Sequence, residues 1–436
     1  MRTRHVGALL ATIALAFGLL LLGSCARRAE VQPIDRKLVI VGIDGMEWDI
    51  MAPMLEAGKL PTFERLIGEG AFAEIRSLDT LESPVIWTSI STGMLPEKHG
   101  ISGFVKRERA GGDDRIIPFT ANVRLRKTIW EILGERGLEV GVLGWLVTWP
   151  AQPVNGYLVS SYYECQWEPK TTGEGNDITY PPELWDEIEG FRLTDKDVPD
   201  ETLDRFVTGS VGDDRTLNAK RVAVARSYAY DESVRRVGRY LQEEWPTDFY
   251  AIYFRGVDPP CHLFWTEMFP EAEPQPDERE VEIFGETIAE YYVYMDEILA
   301  EIIEAVDEDA TVIVTSDHGH SGPKPEGNTY KFGLAMHDPT GVLILWGKDI
   351  VPDIELPDAH VTDIAPTVLA LFGLPVAEDM DGKVLTAAIE PSFLEEQPVL
   401  SVPTYESGSR TEEAEPIESP VDEEIKERLR SLGYIE

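Results

Sequence analysis

Three stretches of this chain are apolar at almost every position and then stop on a carboxylate: K-L-V-I-V-G-I-D ending at Asp44, F-Y-A-I-Y-F-R-G-V-D ending at Asp258, and T-V-I-V-T-S-D-H-G-H carrying Asp317 and His318. Continuous β-branched and aromatic runs of this length read as strands buried on both faces, the pattern of a parallel sheet covered by helices on each side. The expected fold is therefore α/β, a three-layer α/β/α arrangement with a mostly parallel central sheet. Between the strands the apolar spacing changes to a helical period. A strand over Lys37 to Ile43 precedes a helix starting near Leu60 and closed by Gly70. Thr128 to Arg136 is helical, Gly137 stops it, and Val140 to Leu143 is the next strand. Residues 217–243 and 281–306 read as long helices, each leading into one of the carboxylate-ended strands. From about residue 150 to 216 the period is lost among Pro, Gly, Asp, Trp and Tyr, which suggests an inserted cap over the sheet edge. Beyond about Pro391 the text is acidic and Pro-rich, expected to be loosely ordered before a terminal helix at Val421 to Leu432. The main domain is thus placed at 37–390 and the tail at 391–436.

Composition narrows the class. In 436 residues, 39 are basic and 79 acidic, for a net charge of −40. That field repels nucleic-acid backbone and anionic membrane surfaces, so nucleic-acid binding is excluded as a role. The amino terminus is read as a targeting segment: Arg2 and Arg4 precede an apolar stretch from Val6 to Leu22, followed by Gly23, Ser24 and Cys25. This layout resembles a bacterial lipobox. It implies a signal peptide over 1–24, lipidation of Cys25 and a tether over 25–36, hence an exported, periplasmic or envelope protein anchored to a membrane by lipid. In such an oxidising compartment Cys165 and Cys261 are a possible disulfide.

The carboxylates carry the candidate chemistry. An Asp after a strand is often only a turn former or helix cap, a reading that fits Asp44 before Gly45. Asp258 has His262 at i+4, a spacing that lets both side chains reach one ion from a helical turn. Asp317-His318-Gly319-His320 places adjacent polar ligands straight after an apolar strand. Because ligands gather beyond the carboxyl ends of parallel strands, these residues converge on one edge. Asp and His suit zinc or manganese, and two such ions suit phosphoryl chemistry.

Between the first two clusters lie Glu82-Ser83-Pro84-Val85-Ile86-Trp87-Thr88-Ser89-Ile90-Ser91-Thr92-Gly93 and Pro96-Glu97-Lys98-His99-Gly100-Ile101. Together with V-G-I-D-G, D-P-P-C-H, S-D-H-G-H and D-I-A-P-T-V-L, the set resembles the type I phosphodiesterase and nucleotide pyrophosphatase family of the alkaline phosphatase superfamily, from Leu38 to about Gly382. The resemblance implies an alkaline-phosphatase-like fold and a nucleophile at Ser83, ten residues before Gly93. Thr88 is the alternative. It further implies one metal held by Asp44, Asp317, His318 and the Ser83 oxygen, and a second held by Asp258, His262 and His337. His337 is preferred to His360 on family spacing, and His99, His320 and His360 are assigned hydrogen-bonding support.

The expected activity is hydrolysis of a small-molecule phosphate ester, a phosphodiester, with two divalent ions, zinc or manganese, activating Ser83. Pro84 follows Ser83 directly and Ile86 stands where nucleotide-cleaving members place Asn, which weakens the case for a nucleotide substrate. Pro84, Val85, Ile86 and Trp87 are expected to offer apolar surface to the second ester substituent of a diester. Arg255 is expected to bind a non-bridging phosphate oxygen. The alternatives are a phosphomonoesterase, a sulfatase, a phosphomutase on the same fold, or a non-catalytic metal-binding surface protein. The nucleophile-x-Pro-x-Arg pattern of a sulfatase is missing.

Overall fold

The structure, a computed structural model, describes residues 31–110, 113–164, 177–271, 275–307, 309–322, 336–407, 414–419 and 421–431. Its centre is a ten-stranded sheet. In chain order the strands are β1 (Leu38–Ile43), β2 (Ala71–Arg76), β3 (Val140–Leu143), β4 (Gly156–Val159), β5 (Thr179–Tyr180), β6 (Phe249–Phe254), β7 (Thr311–Thr315), β8 (Thr340–Gly347), β9 (Ile354–Glu355) and β10 (Ala359–His360). Across the sheet they run β9-β2-β8-β7-β1-β6-β3-β4-β5, with β10 also paired to β2. Only β8 and β5 oppose the common direction, so the sheet is mostly parallel and the fold is α/β.

Side-chain alternation along β1 divides the core. Val39, Val41 and Ile43 face one helical layer, and Leu38 and Ile40 face the other. The first layer contains α2 (Arg215–Glu244) and α4 (Thr287–Ala305); the second contains α1 (Ser83–Thr92) and α5 (Ile364–Leu371). The Asp214 carboxylate caps α2 by accepting from the Thr216 and Leu217 amides. Gly93, at φ 69°, ends α1 in the left-handed conformation. A further helix, α3 (Asp258–Met268), opens at the end of β6.

Three expectations change here. Residues 150–216 do not read as a cap: β4 pairs in parallel with β3 and β5 pairs with β4, extending the sheet itself. Leu184, Trp185, Ile188, Leu203 and Phe206 then bury against the α2 and α4 layer. The tail is docked rather than loose over its described residues. Ser401–Val402 pairs with Val376–Ala377, Phe393 and Tyr405 enter the core, and the terminal helix α6 (Asp422–Ser431) packs Val421, Ile425 and Leu429 onto the stacked Trp149 and Tyr162 rings. The stretch expected as one helix over 281–306 is two, Glu278–Phe284 and α4, with Gly285 between them.

Among the described residues no helix is long and apolar enough to cross a membrane. The proposed leader, Cys25 and Cys165 lie outside the described residues. Cys261 is buried with a free thiol.

Candidate metal centre

β1 is hydrogen-bonded to β6 on one side and β7 on the other, with Ile43 level with Phe254 and Gly42 level with Thr315. The residues that follow, Asp44, Asp258, Asp317 and His318, therefore emerge at one edge. β8 runs antiparallel to β7, so its start lies at that same edge and delivers His337 just upstream. Ser83 opens α1 beyond the end of β2. The turn after β1 requires glycine: Gly45 has φ 75°, and a Cβ there would fall 2.6 Å from His320 Cε1 and 2.9 Å from Asp258 Cα.

The first group forms around His318. Its Nδ1 lies 3.1 Å from the Gly319 carbonyl, to which it must donate, so Nε2 keeps a lone pair. That Nε2 is 3.4 Å from Ser83 Oγ, 3.4 Å from Asp44 Oδ1 and 3.5 Å from Asp317 Oδ2. Atoms bound tetrahedrally at about 2.0–2.1 Å lie about 3.3–3.4 Å apart, so the spacing suits one ion. The other oxygens of these carboxylates are already engaged. Asp44 Oδ2 accepts from Tyr253 OH at 2.6 Å and Trp87 Nε1 at 3.2 Å, and Asp317 Oδ1 accepts from the Gly45 amide at 3.4 Å. Asp44 Oδ1 and Asp317 Oδ2 are left buried without hydrogen-bond partners.

The second group forms around Asp258 at the first turn of α3. Its Oδ1 is 3.2 Å from His262 Nε2, 3.2 Å from His320 Nε2 and 3.4 Å from His337 Nε2. His320 and His337 are directly opposed in a short antiparallel strand pair, Gly319–Ser321 with Met336–Asp338, which sets both rings on one face. His337 Nδ1 donates to the Leu81 carbonyl at 2.7 Å and His320 Nδ1 to the Gly45 carbonyl at 3.1 Å. Their Nε2 atoms are thereby aimed inward as lone pairs. His262 Nε2 and His337 Nε2 are 2.8 Å apart, a hydrogen bond whose shared proton an ion would displace. A carboxylate oxygen of Asp258 also lies within 4.8 Å of ligand atoms of Asp44 and His318, so the two groups adjoin.

Electrostatics point the same way. Burial, with repulsion from Asp317 and Asp258, drives Asp44 well above the usual carboxylate range, and burial lifts Asp317 to about 6. Burial also opposes ionisation of Asp258, but positive charge placed among His262, His320 and His337, whether a shared proton or a cation, outweighs it and holds this carboxyl well below its ordinary value. Burial keeps His318 neutral and lowers His320 to about 4. Crowded buried carboxylates facing the His318 and His320 rings, which burial keeps neutral, form a donor set that suits a cation.

All seven expected ligand positions thus lie in the two groups. His320, expected to give hydrogen-bonding support, stands among the second group's atoms instead. Thr88 donates to its own helix at Pro84 O, 2.6 Å away. His99 bonds Ser89 Oγ at 3.0 Å and the Ile101 amide at 3.2 Å, and His360 bonds Thr362 Oγ1 at 2.9 Å; both lie outside the groups. Pro84, Val85, Ile86 and Trp87 are buried, because α1 is packed into the core, and they offer no surface to a substrate substituent. Arg255 is half-buried, its guanidinium 4.4 Å over the Tyr230 ring and its amide bonded to Asp231 Oδ1 at 3.0 Å. Sequence reasoning missed Tyr253 and Glu47. Tyr253 breaks an otherwise hydrocarbon-rich strand with a phenol that needs a partner. Glu47, buried and lifted to about 8 by that burial, accepts the His320 amide at 2.8 Å.

The sequence model of the type I phosphodiesterase / nucleotide pyrophosphatase family matches residues 38–351. A curated relative, the 2,3-bisphosphoglycerate-independent phosphoglycerate mutase of Serratia proteamaculans, is 33% identical over 92 residues, 21% of this chain and 17% of that enzyme, so the match spans less than a fifth of the relative's length. Among solved structures, an inactive variant of murine ectonucleotide pyrophosphatase / phosphodiesterase 5 in complex with AMP is 11% identical, with 78% of this chain and 95% of that one covered and a TM-score of 0.48. A variant of the alkaline phosphatase PafA is 15% identical, covering 83% of this chain and 100% of that one with a TM-score of 0.47. The chain belongs to the type I phosphodiesterase / nucleotide pyrophosphatase family.

Proposed function

We propose that this family member hydrolyses phosphodiesters, with Ser83 as nucleophile and two divalent ions held by the two groups. The observation that supports this best is the set of near-tetrahedral spacings, 3.4, 3.4 and 3.5 Å around His318 Nε2 and 3.2, 3.2 and 3.4 Å around Asp258 Oδ1. Mixed nitrogen and oxygen donors at that spacing favour zinc, with manganese the alternative. Bound there, the ions would act as Lewis acids that ease deprotonation of the serine hydroxyl and polarise a phosphoryl oxygen.

The rest falls to the chain. Ser83 Oγ attacks phosphorus, the Oγ–P bond forms, and the bond to the leaving alcohol breaks. Water then cleaves the phosphoseryl ester and restores the hydroxyl. The amino end of α1 would turn its positive dipole end towards the phosphate, while the Val85 and Ile86 amides are already bonded to the Glu82 carbonyl. Arg255 would bind a non-bridging oxygen once its guanidinium leaves Tyr230. Residues 77–92 contain no Lys or Arg, so the nucleophile helix brings no extra cation for a dianionic monoester, which supports the diester reading.

Comparing kcat/KM for an aryl phosphodiester, the matching monoester and a sulfate ester tests this. The expected order is diester, monoester, sulfate. A monoester preference that disappears in Arg255→Ala identifies a phosphatase that takes its cation from Arg255. The exported, lipid-anchored reading rests on residues 2–25 alone. Cys25→Ser is expected to abolish fatty-acid labelling, and equal labelling of both proteins rules it out.

A further inference from the structure

We propose that His320 is a fourth protein ligand, completing a one-carboxylate, three-imidazole site with Asp258, His262 and His337. The inference rests on the reading that ions occupy these groups, and it concerns a residue for which the sequence motif suggests only hydrogen bonding.

The ring of His320 faces an acceptor at each nitrogen. Nδ1 is 3.1 Å from the Gly45 carbonyl, which has no hydrogen to give, so the ring proton sits there. Nε2 is then a lone pair pointing at Asp258 Oδ1 from 3.2 Å. Both atoms are fully buried, and neither has a hydrogen bond of acceptable geometry. Two electron-rich atoms facing each other in a dry space are costly unless a positive centre lies between them. A single ion satisfies both, and at the same time accepts the Nε2 atoms of His262 and His337, whose ligand atoms fall within 4.8 Å of those of Asp258 and His320.

The surroundings hold the ring in that pose. Pairing of His320 with His337 across the two short strands sets the two imidazoles on one face. The Glu47 carboxyl grips the His320 amide at 2.8 Å. Gly45 leaves room for the ring where any other residue would collide with Cε1. The two groups would then differ in coordination. The Ser83 group keeps its serine as an exchangeable position, whereas the Asp258 group has four protein donors and must expand to five to take a substrate oxygen, as zinc does in transition states.

Zinc titration of the purified metal-free chain, followed by X-ray absorption of the loaded protein, tests the assignment. With His320 bound, the two-zinc protein has about two imidazoles per zinc, instead of about one and a half without it. In His320→Ala one equivalent should weaken more than about 100-fold, beyond the 10–100-fold typical of a supporting hydrogen-bond partner. His320→Asn guards against a folding defect, since its amide can donate to Asp258 but supplies no imidazole nitrogen. It should weaken zinc as much as alanine does. Near-normal affinity in His320→Asn, or an imidazole average of one and a half in the parent, overturns the proposal and leaves His320 a hydrogen-bond partner of Asp258. A parent protein that binds no zinc at all would instead overturn the proposed function.

Discussion

Around His318 the donors are oxygen-rich, two aspartates and a serine against one imidazole, and they come from strand ends and a helix start. Around Asp258 they are nitrogen-rich, three imidazoles against one aspartate, and they come from a helical turn and a short antiparallel strand pair. The first group is steadied from beneath by side chains, Tyr253 and Trp87 on Asp44. The second is steadied by backbone, the carbonyls of Leu81 and Gly45 on its histidines. On the proposed reading, the two aspartates of the first group offset most of its cation's charge. A group that must polarise an ester oxygen and release it benefits from neutral donors, which leave more charge on the cation.

The sharpest way to break this contrast is Ser83→Ala. It is expected to lower turnover by about two to three orders of magnitude while both metal equivalents remain. Near-normal activity would move the nucleophile to Thr88 or to water. Next in size, His337→Ala should reduce bound metal from about two equivalents towards one, whereas His360→Ala should leave about two. Elemental analysis after dialysis reads both, and the reverse pattern would reassign the ligand. Smaller still is Tyr253→Phe, which removes one of the two hydrogen bonds on Asp44 Oδ2 and leaves every metal-binding atom in place. We expect metal affinity of the first group to fall about 10–100-fold with the second unchanged, measured by competition with a chelating dye; a loss confined to the second group would undo the division between them.

The smallest effect concerns Asp231, whose carboxylate receives the Arg255 amide and the Tyr291 hydroxyl and so holds the turn leading to Asp258. Burial lifts it from 3.8 to about 8. The folded chain therefore holds a proton that the unfolded chain has lost between these pH values, and stability drains as pH rises through that window, at most about 1.4 kcal/mol per unit from this group. Asp231→Asn, which cannot titrate, should show a flatter fall of Tm between about pH 4 and 8. An unchanged slope would show that Asp231 is ionised in the fold.

Much of this was legible in the sequence because the runs before Asp44, Asp258 and Asp317 are apolar at almost every residue, as strands buried on both faces are. His262 was legible from its i+4 spacing on a helical turn. His320 was not, because its partner His337 is brought to it by cross-strand pairing over a long separation, which no local pattern encodes. The same limit hid β4: Gly156–Val159 is too short to announce itself, and its strand character comes from pairing with β3. In the tail, Pro and Glu masked a regular i, i+4 stripe at Val421, Ile425 and Leu429, whose purpose appears only against Trp149 and Tyr162.

The central place of β1 also fixes when the centre can exist during synthesis. Leu38 is among the first residues of the sheet to leave the ribosome, yet its neighbours Phe249 and Thr311 are made far later. Until β6 and β7 dock on either side, a nascent chain offers Asp44 no companion ligands. Such distant pairing slows folding and leaves the β1 edge open to wrong partners in the meantime. Ions arriving early meet scattered side chains, whereas ions arriving after β8 is in place meet a finished site and add their binding energy to the whole sheet. On the proposed reading, metal uptake would follow assembly of the sheet, and a chain cut before His337 should hold fewer ions.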